Sequence, residues 1–229
     1  MLMFMNFKGK NVLVTGGTRG IGKQLVEDFE KAGATVLATG TEVVDFLDEE
    51  SLSSFVNLLE NMEIDVCINN AGINKIDRFC ETSDASWDDI LAVNLTGAYK
   101  TTKAVLKGMI SRRYGRVVNI ASIWSHKSRK GRAAYSASKF GLRGLTQAVA
   151  AEAARFGVLV NSVSPGFTRT ELTESILGKE GIKEVEQSIP LGRLAEPSEI
   201  SNVVMFLASD ANSYISGQDI LIDGGFMNV

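Results

Sequence analysis

The chain has 229 residues, which is enough to bury one sizeable core, and α/β domains of this length commonly remain single. Hydrophobic residues make up 45% and charged residues 22%, close to globular averages, which excludes a disordered or fibrous protein. The formal net charge of −3 gives no support to a nucleic-acid partner.

Short apolar runs alternate with helical patterns along the whole chain. Continuous β-branched runs are typical of strands buried on both faces of a parallel sheet, and they occur at 12–14, 35–38, 66–68, 117–120, 159–163 and 220–222. Apolar residues at helical spacing occur at about 20–32, 51–60 and 138–155. This order predicts a single α/β domain, 1–229, built on a Rossmann-type doubly wound parallel sheet.

One connection is longer than the others. Residues 165–197 carry four glycines and mixed charge, and they include a segment that predicts a short helix. Long connections in compact domains are usually functional. We therefore expect a substrate lid at about 166–197.

A glycine-rich turn follows the first predicted strand and leads into the first helix. Glycines let the backbone approach a pyrophosphate closely, and the helix start offers free N–H groups to that anion. The strand before and the helix after are the context that a dinucleotide site requires. The predicted phosphate-binding residues are Gly16, Thr18, Arg19, Gly20, Ile21 and Gly22.

The chain resembles the short-chain dehydrogenase/reductase family, in its standard-length branch, over essentially its whole length. Besides the glycine-rich turn, the matching segments are 69–72 (NNAG), Asn94, Ser122, 135–139 (YSASK), 165–168 (PGFT) and 217–225. Its pattern is most similar to bacterial 3-oxoacyl-acyl-carrier-protein reductases. The resemblance implies an oxidoreductase that transfers a hydride between a nicotinamide cofactor and a carbonyl or secondary alcohol.

A catalytic set is carried by Asn94, Ser122, Tyr135 and Lys139. Tyr135 and Lys139 are four residues apart, so they share one face of a helix. A phenol has a pKa of about 10, which a neighbouring ammonium lowers toward neutrality. The resemblance implies that Ser122 binds the substrate oxygen and Tyr135 transfers the proton. It also implies that Lys139 holds the nicotinamide ribose and lowers the tyrosine pKa, while Asn94 anchors a water chain.

Two other kinds of site are disfavoured. His126, the single histidine, lies between Ser122 and Tyr135, but no Gly-x-Ser-x-Gly elbow surrounds Ser122, which argues against a hydrolase. One histidine and two distant cysteines predict no metal site.

The end of the second strand favours NADP(H) over NAD(H). It reads Thr39-Gly40-Thr41, with no acid to repel a 2′-phosphate, and Arg19 offers that phosphate a charge-assisted partner. NAD(H) is the alternative cofactor, since the Glu42 carboxylate can bind ribose hydroxyls. By resemblance, Arg19 and Thr41 match positions that hold the 2′-phosphate, and Gly40 between Thr39 and Thr41 is a further cofactor contact. Asp45 and Phe46 match contacts to the adenine, and Asn70, Ala71 and Gly72 match the loop on the adenosine side. Lys139 holds the nicotinamide ribose beside Tyr135, and Thr168 with the preceding Pro165 and Gly166 matches contacts to the nicotinamide amide.

One departure from the family concerns the sheet edge. Only Gly40, Thr41 and Glu42 separate the second strand from the segment 43–46, which matches the family's third strand. Neighbouring parallel strands need a crossover of about a dozen residues or more. The crossover between the second and third strands of the family is therefore missing. Either 43–46 is no strand or it pairs differently, and the sheet should lose a helix and an edge strand.

The sequence also bears on the substrate class and on the oligomeric state. Lys127, Arg129, Lys130 and Arg132 form a basic loop, interpreted either as a solvated surface or as a funnel for an anionic substrate. Arg113 matches an arginine that docks the acyl carrier protein, while Arg155 is offset by one from its partner position. We expect a small carbonyl substrate, anionic or acyl-carrier-linked. The resemblance also implies a homotetramer formed through the helix at 135–155 and the C-terminal segment.

Three function classes remain in view: a carbonyl reductase, a dehydrogenase of a sugar or secondary metabolite, and a non-enzymatic NADP-binding regulator. The complete catalytic set argues against the regulator. Two cysteines are too few for a disulfide framework, and residues 1–7 lack the basic residues and the apolar length of a signal peptide. No run approaches the roughly 18 apolar residues of a membrane span. We therefore expect a cytoplasmic protein without a membrane partner.

Overall fold

Six parallel strands form one sheet, and each predicted apolar run lies in one of them. A computed structural model describes residues 5–229; part of the N-terminal segment judged not to be a signal peptide lies outside these residues. The sheet order is β2-β1-β3-β4-β5-β6. The strands are β1 (Asn11–Val14), β2 (Thr35–Ala38), β3 (Val66–Asn69), β4 (Gly115–Ile120), β5 (Val158–Pro165) and β6 (Asp219–Ile222). The predicted doubly wound parallel sheet is confirmed.

Helices cover both faces of the sheet. They are α1 (Gly20–Lys31), α2 (Glu49–Glu60), α3 (Asp84–Leu91), α4 (Ala98–Arg112), α5 (Ala133–Ala153), α6 (Glu171–Ser188) and α7 (Pro197–Ala208). Successive strand side chains point to opposite faces, so Val12 packs with Phe29 of α1 and Val204 of α7 in one core cluster. Leu13 packs in the second cluster with Met109 of α4. Among residues 5–229 no helix has an apolar stretch long enough to cross a bilayer.

The segment 43–46 is a turn and not a strand. The amides of Val43 and Val44 both donate to the Gly40 carbonyl oxygen, at 3.1 and 3.0 Å. Asp48 then begins α2 by accepting a hydrogen bond from the Ser51 amide at 2.6 Å. The helix α2 leads directly to β3, on the other side of β1. The alternative that 43–46 is no strand is therefore the observed one, and β2 forms the edge of the sheet.

The connection after β5 holds more helix than predicted. Where one short helix was expected, α6 spans 18 residues in two helical pieces that meet at Gly178. Gly178 interrupts α6 with φ 62° and ψ 179°, a backbone conformation that residues other than glycine rarely adopt. None of the α6 residues is buried. The helix therefore lies on the outside of the molecule and is held by few apolar contacts.

The helix α5 begins at Ala133, two residues before the predicted start at about 135. Tyr135 and Lys139 both lie inside α5, on the shared face that their spacing predicts.

Candidate active site

A cleft of about 530 Å³ lies at the carboxyl ends of the strands. Open α/β sheets bind ligands at this edge. The structure brings every predicted cofactor-contacting residue to the wall of this one cleft: Gly16, Thr18, Arg19, Gly20, Ile21, Gly22, Gly40, Thr41, Asp45, Phe46, Asn70, Ala71, Gly72, Tyr135, Lys139, Pro165, Gly166 and Thr168.

The glycine-rich turn is packed too tightly for side chains. Gly16 has φ 65°, and a Cβ there would lie 2.9 Å from the Cα of Ala71. The Thr15 hydroxyl accepts hydrogen bonds from the amides of Asn70 and Ala71, both at 3.0 Å, which joins the ends of β1 and β3. These contacts hold the turn in one shape before any ligand binds.

The N-terminus of α1 has the features of an anion-binding site. Its N-cap residue, Arg19, makes no side-chain capping bond, and its first turn has no acidic residue. The first amides of a helix have no partner within the helix, and the positive end of its dipole attracts phosphate. Thr39 adds a buried hydroxyl without a partner among residues 5–229. These features fit the diphosphate and ribose of a dinucleotide.

The side of the cleft predicted to hold the adenosine is formed by the turn at 43–46. The Glu42 carboxylate lies against Gly40, where any side chain would overlap it. The Phe46 ring lies against Gly97 and meets the Phe55 ring edge-to-face at 6.5 Å. Thr41 and Glu42 are exposed, so this side of the cleft is open to solvent.

Ser122, Tyr135 and Lys139 meet at the other side of the same cleft. Ser122 follows β4, and its hydroxyl accepts a hydrogen bond from the Trp124 amide at 3.2 Å. The Lys139 ammonium donates to the Ile120 carbonyl oxygen at 2.7 Å and lies 5.6 Å from the centroid of the Tyr135 ring. The end of β4 and the first turns of α5 thus position the three groups together.

Burial is the main cause of the pKa shifts of Tyr135 and Lys139. Desolvation raises the pKa of Tyr135, while a hydrogen bond with Ser122 and the charge of Arg132 oppose that rise. Desolvation also lowers the pKa of Lys139 to about 8. The Lys139 ammonium is directed at Ile120, and Arg132, three residues before the tyrosine, contributes a positive charge that lowers the tyrosine pKa. That Lys139 lowers it as well stays a prediction.

Asn94 lies outside the lining of the cleft. It is held in a π-helical stretch, Ala92–Gly97, and is 1% exposed. Its amide group bonds to both the amide (2.8 Å) and the carbonyl (2.9 Å) of Ile73, and donates to Ser138 Oγ at 3.1 Å. Ile73 does line the cleft. The side chain therefore fixes the loop after β3, next to Gly72.

An aromatic cluster beside Ser122 was only partly visible in the sequence. Trp124, Phe167 and Phe226 pack edge-to-face, with ring centroids 5.3 to 6.4 Å apart. Trp124 and Phe167 line the cleft. Phe226 comes from the end of the chain, about 100 residues from Trp124 in sequence, and no local pattern indicates this contact.

The basic loop does not act as one surface. Arg132 is buried and lines the cleft, while Arg129 and Lys130 are exposed and Lys127 lies 4.4 Å above the Phe226 ring. His126 does not pair with Ser122, since its Nε2 lies 2.8 Å from the buried Asp219 carboxylate. A Ser–His pair of the hydrolase type is therefore not formed.

Comparison with known proteins gives consistent relatives. A family model described as enoyl-(acyl carrier protein) reductase matches residues 40–227. The 3-oxoacyl-acyl-carrier-protein reductase of Aquifex aeolicus is 38% identical over 97% of this chain and 99% of that protein. The enzyme of the same name from Escherichia coli is 36% identical over 98% of this chain and 100% of that protein.

Solved structures share the fold at similar length. A putative NAD(P)-dependent gluconate 5-dehydrogenase from Beutenbergia cavernae with bound NADP superposes with a TM-score of 0.93, at 34% identity over 98% of this chain and 99% of that one. A gluconate 5-dehydrogenase from Burkholderia cenocepacia, in complex with NADP and tartrate, gives 0.89 at 26% identity over 100% and 99%.

Proposed function

The chain belongs to the short-chain dehydrogenase/reductase family, and from this membership we propose that it transfers a hydride between NADP(H) and a carbonyl or secondary alcohol. The observation that carries the proposal is the convergence of Ser122, Tyr135 and Lys139 in the same cleft as the glycine-rich turn. A regulator that only binds the dinucleotide has no use for this trio.

In the proposed reaction each of the three residues has a separate role. Ser122 donates a hydrogen bond to the substrate oxygen, and Tyr135 gives that oxygen its proton in reduction and takes it back in oxidation. Because burial keeps the phenol neutral at pH 7, Tyr135 is in the form that reduction needs. Lys139 supplies a positive charge at the base of the site. When bound, the nicotinamide supplies or accepts the hydride.

NADP(H) is the proposed cofactor. The residues Thr39 to Thr41 carry no acid, and Arg19 lies exposed at the mouth of the cleft, free of ion pairs with residues 5–229. The superposed structures from Beutenbergia cavernae and Burkholderia cenocepacia bind NADP. Glu42 folds against Gly40 and lines the same side, so it is the group that would favour NAD.

The proposed substrate is the ketone of an anionic or carrier-linked molecule, as for the curated 3-oxoacyl reductases. Arg113, which matches the carrier-docking arginine, bonds through Nη2 to the Arg155 carbonyl oxygen at 3.4 Å, so the two arginines are adjacent. A second candidate is the oxidation or reduction of a sugar acid, which the similarity to gluconate 5-dehydrogenases supports.

We further propose that the protein is a cytoplasmic homotetramer in which 166–197 closes over the substrate. The tetramer is supported by α5, on which Ala148 and Ala151 are exposed small residues that allow close packing. The lid is supported by Leu172, Ile176 and Leu177, apolar residues of α6 that line the cleft.

The test is a substrate panel followed by NADPH absorbance. It comprises a 3-oxoacyl thioester, a keto sugar acid and a neutral cyclic ketone, each with wild type and Tyr135→Phe. We expect turnover of at least one compound and a loss of roughly 10²- to 10⁴-fold in the variant, the usual contribution of a positioned acid. NADPH affinity should persist in the variant, since the ring remains. Substantial turnover by Tyr135→Phe would contradict the mechanism.

A further inference from the structure

Arg132 is a buried cation for which residues 5–229 provide no counter-charge. It lies immediately before α5, lines the cleft and is only 8% exposed. Its guanidinium carbon lies 5.8 Å from the centroid of the Trp124 ring and 6.0 Å from that of Tyr135. The charged or ionisable groups that act on it are Tyr135 and Arg129, and no carboxylate is among them.

The other buried arginine, Arg116, has several partners within the protein, although its Nε has none among residues 5–229. Arg116 is 7% exposed and donates to the carbonyl oxygens of Gly115, Gly157 and Asn212 at 2.9 to 3.3 Å. Its Nη2 also lies 4.0 Å from Asp210. Arg132 has neither kind of partner. Arg132 lies on the wall of the cleft without an ion pair or a side-chain hydrogen bond to residues 5–229, so its guanidinium is available to an anionic group that binds there.

The cofactor phosphates are not that partner. The phosphate-binding turn follows β1, whereas Arg132 lies beside the loop that follows β4, and β3 separates the two strands in the sheet. Arg132 shares its part of the cleft with Ser122, Trp124 and Tyr135. These neighbours surround the reacting carbonyl, so the ligand that meets Arg132 is the substrate.

We propose that Arg132 binds a carboxylate of the substrate, a few bonds from the carbonyl that Ser122 and Tyr135 contact. The proposal rests on the proposed oxidoreductase function and narrows its substrate to free oxo acids and their hydroxy-acid products. The planar guanidinium matches a carboxylate with two parallel hydrogen bonds. Trp124 and Phe167 provide apolar walls for the carbon chain. A thioester presents no charge at this position and would leave Arg132 unpaired.

The test compares two ketones that differ only in the charged group, 3-oxobutanoate and its methyl ester. In wild type, kcat/KM with NADPH should favour the acid roughly 10- to 100-fold, the effect expected of hydrogen bonds to a charged group. Arg132→Gln should bring the ratio of kcat/KM for the acid over the ester close to one, because any effect of the lost charge on Tyr135 applies to both ketones and cancels in the ratio. Arg132→Lys, which keeps the charge but loses the planar fork, should retain part of it. Lys130→Gln, two residues earlier and exposed, also removes one positive charge from the loop, so it is the control and should keep the full preference.

A binding measurement separates this proposal from the proposed function. The chain has two tryptophans, and Trp124 faces Arg132, so a Trp87→Phe background reports on the site by fluorescence. With NADP⁺ bound, 3-oxobutanoate should bind more tightly than the ester, and only while Arg132 is present. If that holds without turnover, the carboxylate site stands and the oxidoreductase function fails. Equal binding of acid and ester to wild type would overturn the carboxylate site. Equal losses of kcat/KM for both ketones in Arg132→Gln would also overturn it, because Arg132 would then act through Tyr135.

Discussion

Tyr135 and Lys139 owe their ionisation states to burial more than to each other. Burial lowers the pKa of Lys139 to about 8, below its ordinary value, and raises that of Tyr135 above its own. A base with a lowered pKa loses its charge as pH rises through that value, whereas an acid with a raised pKa keeps its proton longer. Neutral Tyr135 and charged Lys139 therefore coexist below about pH 8.

This order predicts the pH profile of reduction. The kcat/KM with NADPH should be flat at neutral pH and fall above about pH 8, as Lys139 is deprotonated, while Tyr135 remains an acid. The measurement is kcat/KM at saturating NADPH from pH 6 to 10, with buffers matched in ionic strength. A profile that stays flat up to pH 10 would show that Lys139 keeps its proton in the working complex.

Arg19 should determine the choice between NADPH and NADH. Arg19→Ala should weaken NADPH binding roughly 10- to 100-fold, because one charge-assisted partner of the 2′-phosphate is lost, and should leave NADH unchanged. Both cofactors are titrated by intrinsic fluorescence. Lys23→Ala, an exposed lysine on the next turn of α1, is the control for net charge. Equal affinities of wild type for NADH and NADPH would contradict the prediction, because Arg19 would then not set the cofactor preference.

Among the larger elements, α6 is the one whose shape depends on a single residue. Gly178 divides it into two helical pieces at φ 62°, and a non-glycine residue in such a conformation costs about 1–3 kcal/mol. Leu172, Ile176 and Leu177 precede the kink and line the cleft. The bend thus sets how the first piece of the helix meets the substrate.

Gly178→Ala should therefore disturb the lid without disturbing the core. We expect a higher KM for substrate and an unchanged affinity for NADPH, with the melting temperature nearly preserved because no α6 residue is buried. Gly144→Ala changes a glycine within the helix α5 where an added Cβ meets nothing within 4 Å, and it serves as the control. Equal kinetics of Gly178→Ala and wild type would remove the kink from the substrate-binding mechanism.

For the assembled protein, the faces of α4 and α5 are the surfaces to test. Tyr99 and Phe140 are each 45% exposed, and Ala148 and Ala151 follow along α5. Exposed apolar residues beside small ones favour close packing between symmetric copies. We expect wild type to sediment as a tetramer at micromolar concentration and Ala148→Glu to dissociate it. Ser53→Glu, on the exposed side of α2, should leave the assembly intact. A monomeric wild type would contradict the expectation.

Much of the site could be located from the sequence because its parts have local signatures. The turn at 15–22 needs glycine at Gly16 for a positive φ and a close backbone contact, and Tyr135 and Lys139 need helical spacing. The motifs follow the ends of strands, which meet at one edge of a parallel sheet. The sequence also excluded a strand at 43–46 that pairs in parallel beside β2, because three residues cannot form a parallel crossover. It left open whether the segment is no strand or pairs differently.

The sequence by itself determined the parallel sheet, through its alternating apolar runs and helical patterns, and the glycine-rich turn between β1 and α1. The Ser122–Tyr135–Lys139 set was predicted from the family resemblance together with the helical spacing of Tyr135 and Lys139. Only the tertiary structure decided which charges meet. It separated Arg132 from the other basic residues of its loop and turned Lys139 toward Ile120. It also brought Phe226 to Trp124 and His126 to Asp219. The physical reason is that burial and distance, which set the energy of a charge or a ring contact, depend on residues far apart in the chain.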